Sequence, residues 1–324
     1  MILALETSCD ETCAAVAEPD GTVRSSIVAS QAAEHALFGG VVPEIASRRH
    51  LELIGPTVAA ALAEAGCTAA DVSRVAVSAG PGLIGALLVG VSFAKGFAYA
   101  NGVPLVAVDH LQGHVASLRL AAAPPVGAHL VLLASGGHTL LIDVEADGSL
   151  TTIARSMDDA AGEAFDKGAR LLGLGYPGGP ALAALADDGD PRARPFTRPL
   201  AGRADLAFSF SGLKTALAMA VAAEAAPPAD LAAAYQEAIV DHLLDRARLG
   251  LSATGRTTLG LVGGVAANAR LRQRLAELPV EVVAAPLAWC GDNAAMIAAA
   301  AVGLPALPPD QLLALDAHAR SALG

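Results

Sequence analysis

The stretch His129-Leu-Val-Leu-Leu-Ala-Ser135-Gly136-Gly137-His138-Thr139-Leu-Leu-Ile-Asp-Val-Glu145 holds two apolar runs separated by a glycine pair. Short apolar runs bounded by glycine read as strands, and two of them across so tight a turn read as a hairpin. A third run, Leu150 to Ser156, follows. The N-terminus has the same plan. Met1 to Leu5 is strand-like, Thr7 to Thr12 is a turn full of hydroxyls and carboxylates, Cys13 to Ala17 returns apolar, and Val23 to Ala29 makes a third strand. One pattern therefore starts twice.

Helices and strands alternate after each start. In the first half, Gly39-Gly40-Val-Val-Pro43-Glu44 opens a helix over Ile45 to Ala65, with Pro56 inside it, where a kink or a split is expected. Val75 to Ala79 is a strand, Ile84 to Ala100 a helix and Leu105 to Val108 a strand. In the second half, Met157 to Phe210 reads as Gly- and Pro-rich loops, including Tyr176-Pro177-Gly178-Gly179-Pro180. Helices are expected over Leu213 to Ala225 and Pro228 to Leu251, then a strand at Thr258 to Val262, a helix led by Asn268, a strand at Val280 to Ala284 and a helix from Asn293 to Val302. Duplicated βββαβα units without an evident sequence repeat are the organisation of the actin, hexokinase and Hsp70 (ASKHA) group of nucleotide-binding folds. The expected fold class is accordingly α/β and two-lobed, with an interlobe cleft. The lobes are expected at residues 1–107, with a C-terminal helix, 293–324, packing back on them, and at 108–292.

A chain of 324 residues exceeds the size at which a single core stays undivided, which agrees with two lobes. It is 54% apolar but only 3% aromatic, so Ala, Val and Leu must build the core. The net charge of −11 argues against broad attraction to nucleic acid. Local basic faces remain at Arg48-Arg49-His50, Arg192/Arg194/Arg198 and Arg270/Arg272/Arg274. Cys9, Cys13, Cys67 and Cys290 form neither a CxxC pair nor a disulfide framework, and a reducing cytosol fits them. The N-terminus lacks a basic flank before its apolar start and reads as a strand, not a signal peptide. The uncharged run Val75 to Ala94 is long enough to imitate a membrane span, but Gly80-Pro81-Gly82 and Gly85 break it into strand, turn and helix, so no membrane association is expected.

His110-Leu-Gln-Gly-His114 follows a strand and opens a helix, which puts two imidazoles one turn apart on one face, close enough to share a metal ion. Two imidazoles make a poor site alone, and Asp292, just before the last helix, is a third ligand or else a helix cap. Ser135-Gly136-Gly137 and Gly263-Gly264 both follow strands, where backbone N–H groups can approach an anion. Together they favour a nucleotide-like ligand. Asp159, Glu163 and Asp166 fall on one helical face and need a ligand, a partner cation or exposure, with Lys167 and Lys214 as the cations at hand.

Ten blocks in this order resemble the TsaD/Gcp family of tRNA N6-threonylcarbamoyladenosine transferases. They are Glu6-Thr-Ser-Cys-Asp-Glu-Thr12, Gly39 to Glu44 with Ala46-Ser-Arg48 and His50, Ser78-Ala-Gly-Pro-Gly-Leu83, His110-x3-His114, Ser135 to Thr139, Asp158 to Lys167, Tyr176 to Pro180, Phe208-Ser-Phe-Ser-Gly-Leu-Lys214, Gly263-Gly264 with Asn268, and Asp292-Asn293. The chain departs from the family pattern at Gly291, at Ala294 and in the tail after Ala306. The resemblance implies one divalent metal ion, iron or zinc, held by His110, His114 and Asp292. It implies an adenylate pocket formed by Leu133, Ala134, Ser135, Gly136 and Gly137 with Asp166, Gly179 and Asn268. The implied reaction transfers threonylcarbamoyl from threonylcarbamoyl-AMP to N6 of adenosine 37 in tRNAs that read codons beginning with A. The implied partners are tRNA, a TsaB-like paralogous subunit and a TsaE-like small ATPase in the cytoplasm.

Loss of the N6 proton calls for a base, and Asp10 on the first hairpin tip is the candidate, with Glu11 second. Two rival readings share parts of the pattern. A metalloprotease needs Glu directly after the first His, where this chain has Leu111. A small-molecule kinase of the same fold could use the cleft but has no need of a His pair with Asp292.

Overall fold

The computed structural model describes residues 1–321 and 323. Its described residues divide into two compact units, one of Met1–Leu120 with residues 292–321, the other of Ala121–Gly291 with Leu323. The divisions fall at 120/121 and 291/292, so the helix bearing His110 belongs to the same unit as Asp292.

The first unit runs β1 (Ile2–Glu6), β2 (Glu11–Ala17), β3 (Val23–Ser30), α1 (Ala32–Ala36), α2 (Pro43–Glu64), β4 (Arg74–Gly80), α3 (Ile84–Asn101), β5 (Leu105–Asp109) and α4 (His110–Ala116). The second runs β6 (His129–Ala134), β7 (Thr139–Val144), β8 (Leu150–Arg155), α5 (Ala161–Leu171), α6 (Gly178–Ala186), α7 (Ser211–Ala222), α8 (Pro228–Thr254), β9 (Thr258–Val262), α9 (Ala269–Leu275) and β10 (Glu281–Ala284). The chain then returns to the first unit with α10 (Ala294–Ala301). The sheet orders are β3-β2-β1-β4-β5 and β10-β9-β6-β7-β8. Read from β8, the second order repeats the first strand for strand. In both sheets the hairpins pair antiparallel and the inner crossovers pair parallel. The α/β duplication expected from the two hairpins is borne out.

Strand β1 is buried along its whole length and all but the first residue of β4 is too, as the middle strands of a covered sheet must be. Leu3, Leu5, Val75 and Val77 pack with Ile54 and Val58 of α2 and with Val91, Ala94 and Ala98 of α3. Helix α3 is long and apolar enough to cross a membrane by length and composition, but its small residues serve this core. Gly90 of α3 comes so close to β1 that an added Cβ would stand 2.4 Å from Thr7 Oγ1.

Three elements differ from the sequence reading. Helix α2 passes through Pro56 unbroken, because Pro56 and Glu52, whose carbonyl loses its donor there, are both exposed to water. The stretch at Gly178–Pro180, expected to be loop, is the first turn of α6, since Asp166 Oδ1 accepts from the N–H groups of Gly178 and Gly179 at 2.9 and 3.2 Å. The last helix stops at Ala301. The tail beyond it is a loop with a 3-10 turn, Pro309–Gln311, and lies on the first unit through Lys95 Nζ to Leu315 O (2.8 Å) and His318 N to Ala79 O (2.8 Å).

Candidate metal centre

Asp109, the last residue of β5, makes the turn into α4. Its Oδ1 accepts from the N–H groups of Leu111 and Gln112 at 2.9 and 3.2 Å and caps the helix. His110 and His114 therefore fall on one face, their rings edge to face with centroids 4.7 Å apart. Between them stands Gly113, where an added Cβ would meet Ile297 Cδ1 at 2.8 Å and Met296 Cγ at 3.4 Å. Only a residue without a side chain lets α10 approach so closely. Helix α10 is itself mostly alanine and buried along its whole length. Its approach brings Asp292 to the imidazoles.

Asp292 is not the cap of α10. That role belongs to Asn293, whose Oδ1 accepts from Met296 N at 2.9 Å. The Asp292 Oδ1 lies 3.2 Å from His114 Nε2 and 3.6 Å from His110 Nε2. One donor atom from each of the three residues falls within 4.8 Å of the others. His114 is fully buried, yet among the described residues neither of its ring nitrogens has a hydrogen-bond partner. A buried nitrogen aimed at a carboxylate without a hydrogen bond fits a cation held between them.

The sequence reading missed Glu6 at this centre. Its Oε2 lies 2.9 Å from His110 Nδ1, and its Oε1 accepts from Ser8 N at 2.5 Å. Glu6 is wholly buried; burial opposes its ionisation, but His110 outweighs burial and lowers its pKa. For His110, burial opposes protonation, and Glu6 and then Asp292 outweigh it, pushing the imidazole up to about 9. A carboxylate on Nδ1 leaves Nε2 directed at Asp292, the arrangement that orients a metal-binding imidazole. A signal existed in the sequence, since a carboxylate that ends an apolar strand needs a buried partner.

Asp10 stands on the β1–β2 turn and Glu11 opens β2, and Ser8 of the same turn has its Oγ 3.2 Å from His110 Nδ1. Ser30 Oγ donates to Glu11 Oε1 at 2.8 Å. Burial pushes the Glu11 carboxyl up to about 7, against the effect of Ser30, and the charges of Asp10 and Asp292 add to the rise.

In the second unit, Leu133 and Ala134 end β6, and Ser135, Gly136 and Gly137 form the hairpin turn, both glycines exposed. Gly263, with φ +91°, ends β9 so close to β6 that a Cβ there would stand 2.4 Å from Ala134 O. Gly162 N donates to Ser135 O at 3.1 Å. The two glycine turns thus meet at the carboxyl ends of adjacent parallel strands, where ligands of open α/β sheets bind. Asp166 and Gly179 touch each other through the cap on α6. Asn268 caps α9, with Oδ1 taking Leu271 N at 2.9 Å and Nδ2 donating to Gln236 Oε1 at 2.8 Å. The expected acidic face is neutralised: Lys167 Nζ lies 2.5 Å from Asp159 and 3.4 Å from Glu163, and Lys214 Nζ lies 3.7 Å from Asp159.

Most arginines of the three clusters are paired as well, while Arg192, 3.6 Å from Asp190, stands out into solvent. Arg48 meets Glu44, and Arg49 meets Glu34 and Glu52. Arg198 and Arg274 converge on Asp241 at 2.6 and 3.0 Å, and Arg270 joins Arg274 on Glu237. Arg272 turns the other way, to the Ala266 and Ala285 carbonyls.

The sequence matches the TsaD family, described as tRNA N6-adenosine threonylcarbamoyltransferase, over residues 22–299. A relative of that name from Sphingopyxis alaskensis is 50% identical over 303 residues, covering 92% of this chain and 88% of its own. Another from Erythrobacter litoralis is 46% identical over 325 residues, covering 99% and 94%. Among solved structures, HypF of T. kodakarensis superposes with a TM-score of 0.64 at 15% identity, over 93% of this chain and 47% of that longer one, a likeness of fold. The chain belongs to the TsaD family of tRNA N6-adenosine threonylcarbamoyltransferases.

Proposed function

We propose that this protein transfers a threonylcarbamoyl group from threonylcarbamoyl-AMP to N6 of adenosine 37 in tRNAs that read codons beginning with A. The observation that carries the reading is the triad of buried His110 and His114 with half-buried Asp292, braced by Glu6, in a chain of this family. In the reaction the N6 amine attacks the carbamoyl carbonyl carbon, the bond from that carbon to the phosphate oxygen breaks, AMP leaves with the electron pair, and the amine gives up a proton.

His110, His114 and Asp292 would hold one divalent ion, iron or zinc, and Glu6 would fix the His110 ring. When bound, such an ion acts as a Lewis acid toward a phosphate oxygen and offsets charge on the leaving group. The remaining work falls to the chain. Asp10 or Glu11 takes the N6 proton. Glu11, held near 7, has the protonation balance for that task at neutral pH, while Asp10 shares its turn. The N–H groups of the exposed residues Gly136 and Gly137, together with Leu133, Ala134, Ser135, Asp166, Gly179 and Asn268, are assigned to the adenylate. Asp166 and Asn268 serve there by holding α6 and α9 in place as well.

The proposed partners are tRNA, a TsaB-like paralogous subunit and a TsaE-like small ATPase. The proposed location is the cytoplasm, which the four unpaired cysteines support. The test is incubation of the purified chain with synthetic threonylcarbamoyl-AMP, these helpers and unmodified tRNA, followed by mass analysis of the nucleosides. Threonylcarbamoyladenosine is the expected product. Its absence with every component present would refute the assignment.

A further inference from the structure

The block Gly39 to Glu44 with Ala46-Ser-Arg48 and His50 has no part in the centre described above, yet it delivers one wholly buried imidazole, His50, to the first hairpin. The exposed face of α2 carries Arg48, Arg49 and Leu51, and His50 points the other way. Its Nε2 lies 3.0 Å from Cys9 O, and its Nδ1 lies 2.7 Å from Thr12 Oγ1. A carbonyl oxygen only accepts, so Nε2 carries the hydrogen and Nδ1 must accept from the Thr12 hydroxyl. Gln31 Nε2, 3.4 Å away, is a second, weaker donor to the same Nδ1. Gln31 also reaches the turn by its backbone, donating to Asp10 O at 3.1 Å.

These contacts bracket Asp10 and Glu11. Cys9 precedes them and Thr12 follows them, and one rigid ring is bonded to both. On the far side, Ser8 reaches His110. We infer that His50 is a positioning residue for the threonylcarbamoyl transfer, fixing the direction of the Asp10–Glu11 tip from beneath without touching substrate. Burial lowers its pKa, which keeps the ring neutral and the donor and acceptor roles as assigned. A brace of this kind acts on the chemical step, because an ångström of misplacement at a reacting group costs on the order of a hundredfold in rate.

The inference rests on the transferase reading, so its test has two readouts. In the transfer assay with saturating adenylate and tRNA, His50→Ala is expected to lower single-turnover rate on the order of ten- to a hundredfold, with KM for both substrates and metal content unchanged. His50→Gln, whose amide can both donate to Cys9 O and accept from Thr12, is expected to recover most of that rate. Thr12→Val keeps the shape, removes one bond and is expected to lose severalfold, which covers the case in which His50→Ala does not fold. Independently of catalysis, amide hydrogen exchange over residues 9–12 is expected to speed up in His50→Ala and to return toward wild type in His50→Gln. A wild-type rate in His50→Ala, a loss confined to KM, or His50→Gln no better than His50→Ala would overturn the role. Unchanged exchange at the tip would overturn the brace itself. If the wild-type chain made no product, the transferase reading would fall while the exchange result still decided the brace.

Discussion

At the scale of single residues, the centre is built by burying Glu6, His110 and His114 and setting the half-buried carboxylate of Asp292 against the imidazoles. His110 and His114 could be read from the sequence because a spacing of four puts two side chains on one helical face whatever the fold. Glu6 and Gly113 could not be read with the same ease. The partner of Glu6 is 104 positions away, and the need for glycine at 113 comes from α10, which belongs to the other end of the chain. Burial also bears on Glu11, the second of the two proposed bases. Glu11 sits near 7, so a base at this position is deprotonated above that pH and protonated below it. The single-turnover rate should therefore rise with pH through about 7 and level off, and Glu11→Gln should be slow and flat across the range. A wild-type profile with no inflection between pH 6 and 8 would count against Glu11.

At the scale of elements, the hairpins and alternating strands were legible because their apolar runs are short and bounded by glycine. The start of α6 was not. Gly178-Gly179-Pro180 carries every local sign of a loop, and a carboxylate twelve residues upstream of Gly178, Asp166, supplies the cap. Helix α8 holds another feature that only the fold reveals. His242 is buried edge-on against the stacked rings of Phe208 and Phe210, with centroids 5.8 and 5.3 Å from its own, and its Nε2 accepts from Ser209 N at 3.1 Å. Burial, and then the charge of Arg246, lower its pKa to about 4. An unfolded chain protonates this histidine near its ordinary value, so the stability it confers is complete above about pH 6.5 and is lost as pH falls toward 4. The loss amounts to roughly 3 kcal/mol at full protonation. Denaturant melts at pH 7.5 and 4.5 should show it. His242→Leu should cost about 1–2 kcal/mol at pH 7.5, from the orphaned Ser209 N–H, but should be less sensitive to acid. Equal acid sensitivity in both proteins would remove His242 from the explanation.

At the scale of the molecule, the repeated sheet order shows why two hairpins sufficed to anticipate the fold. Each hairpin with the strand after it fixes three strands, and parallel crossovers, right-handed as a rule, leave few places for the rest. The unit boundary was less legible, since α4 packs on β4, β5 and the returning α10 of the first unit. Charge is the other whole-molecule property. The net −11 combines with basic clusters in which Arg48, Arg49, Arg198, Arg270, Arg272 and Arg274 already meet Glu34, Glu44, Glu52, Glu237 or Asp241, or backbone carbonyls. The isolated chain is expected to bind tRNA weakly, with Kd above about 1 μM at physiological salt, within the range of non-specific binding. Its helpers should tighten that binding, and nanomolar affinity for the chain alone would contradict the expectation. The most direct single measurement ties the triad of His110, His114 and Asp292 to the reaction. Single-turnover transfer with threonylcarbamoyl-AMP, helpers and unmodified tRNA is followed for the chain as purified, after chelation, and after return of one equivalent of Fe²⁺ or Zn²⁺, alongside Asp292→Asn. The predicted result is product from the purified chain, at least a hundredfold less after chelation or in Asp292→Asn, and recovery when the ion is restored. Undiminished transfer by the chelated chain, with metal content verified below one tenth of an equivalent, would contradict it.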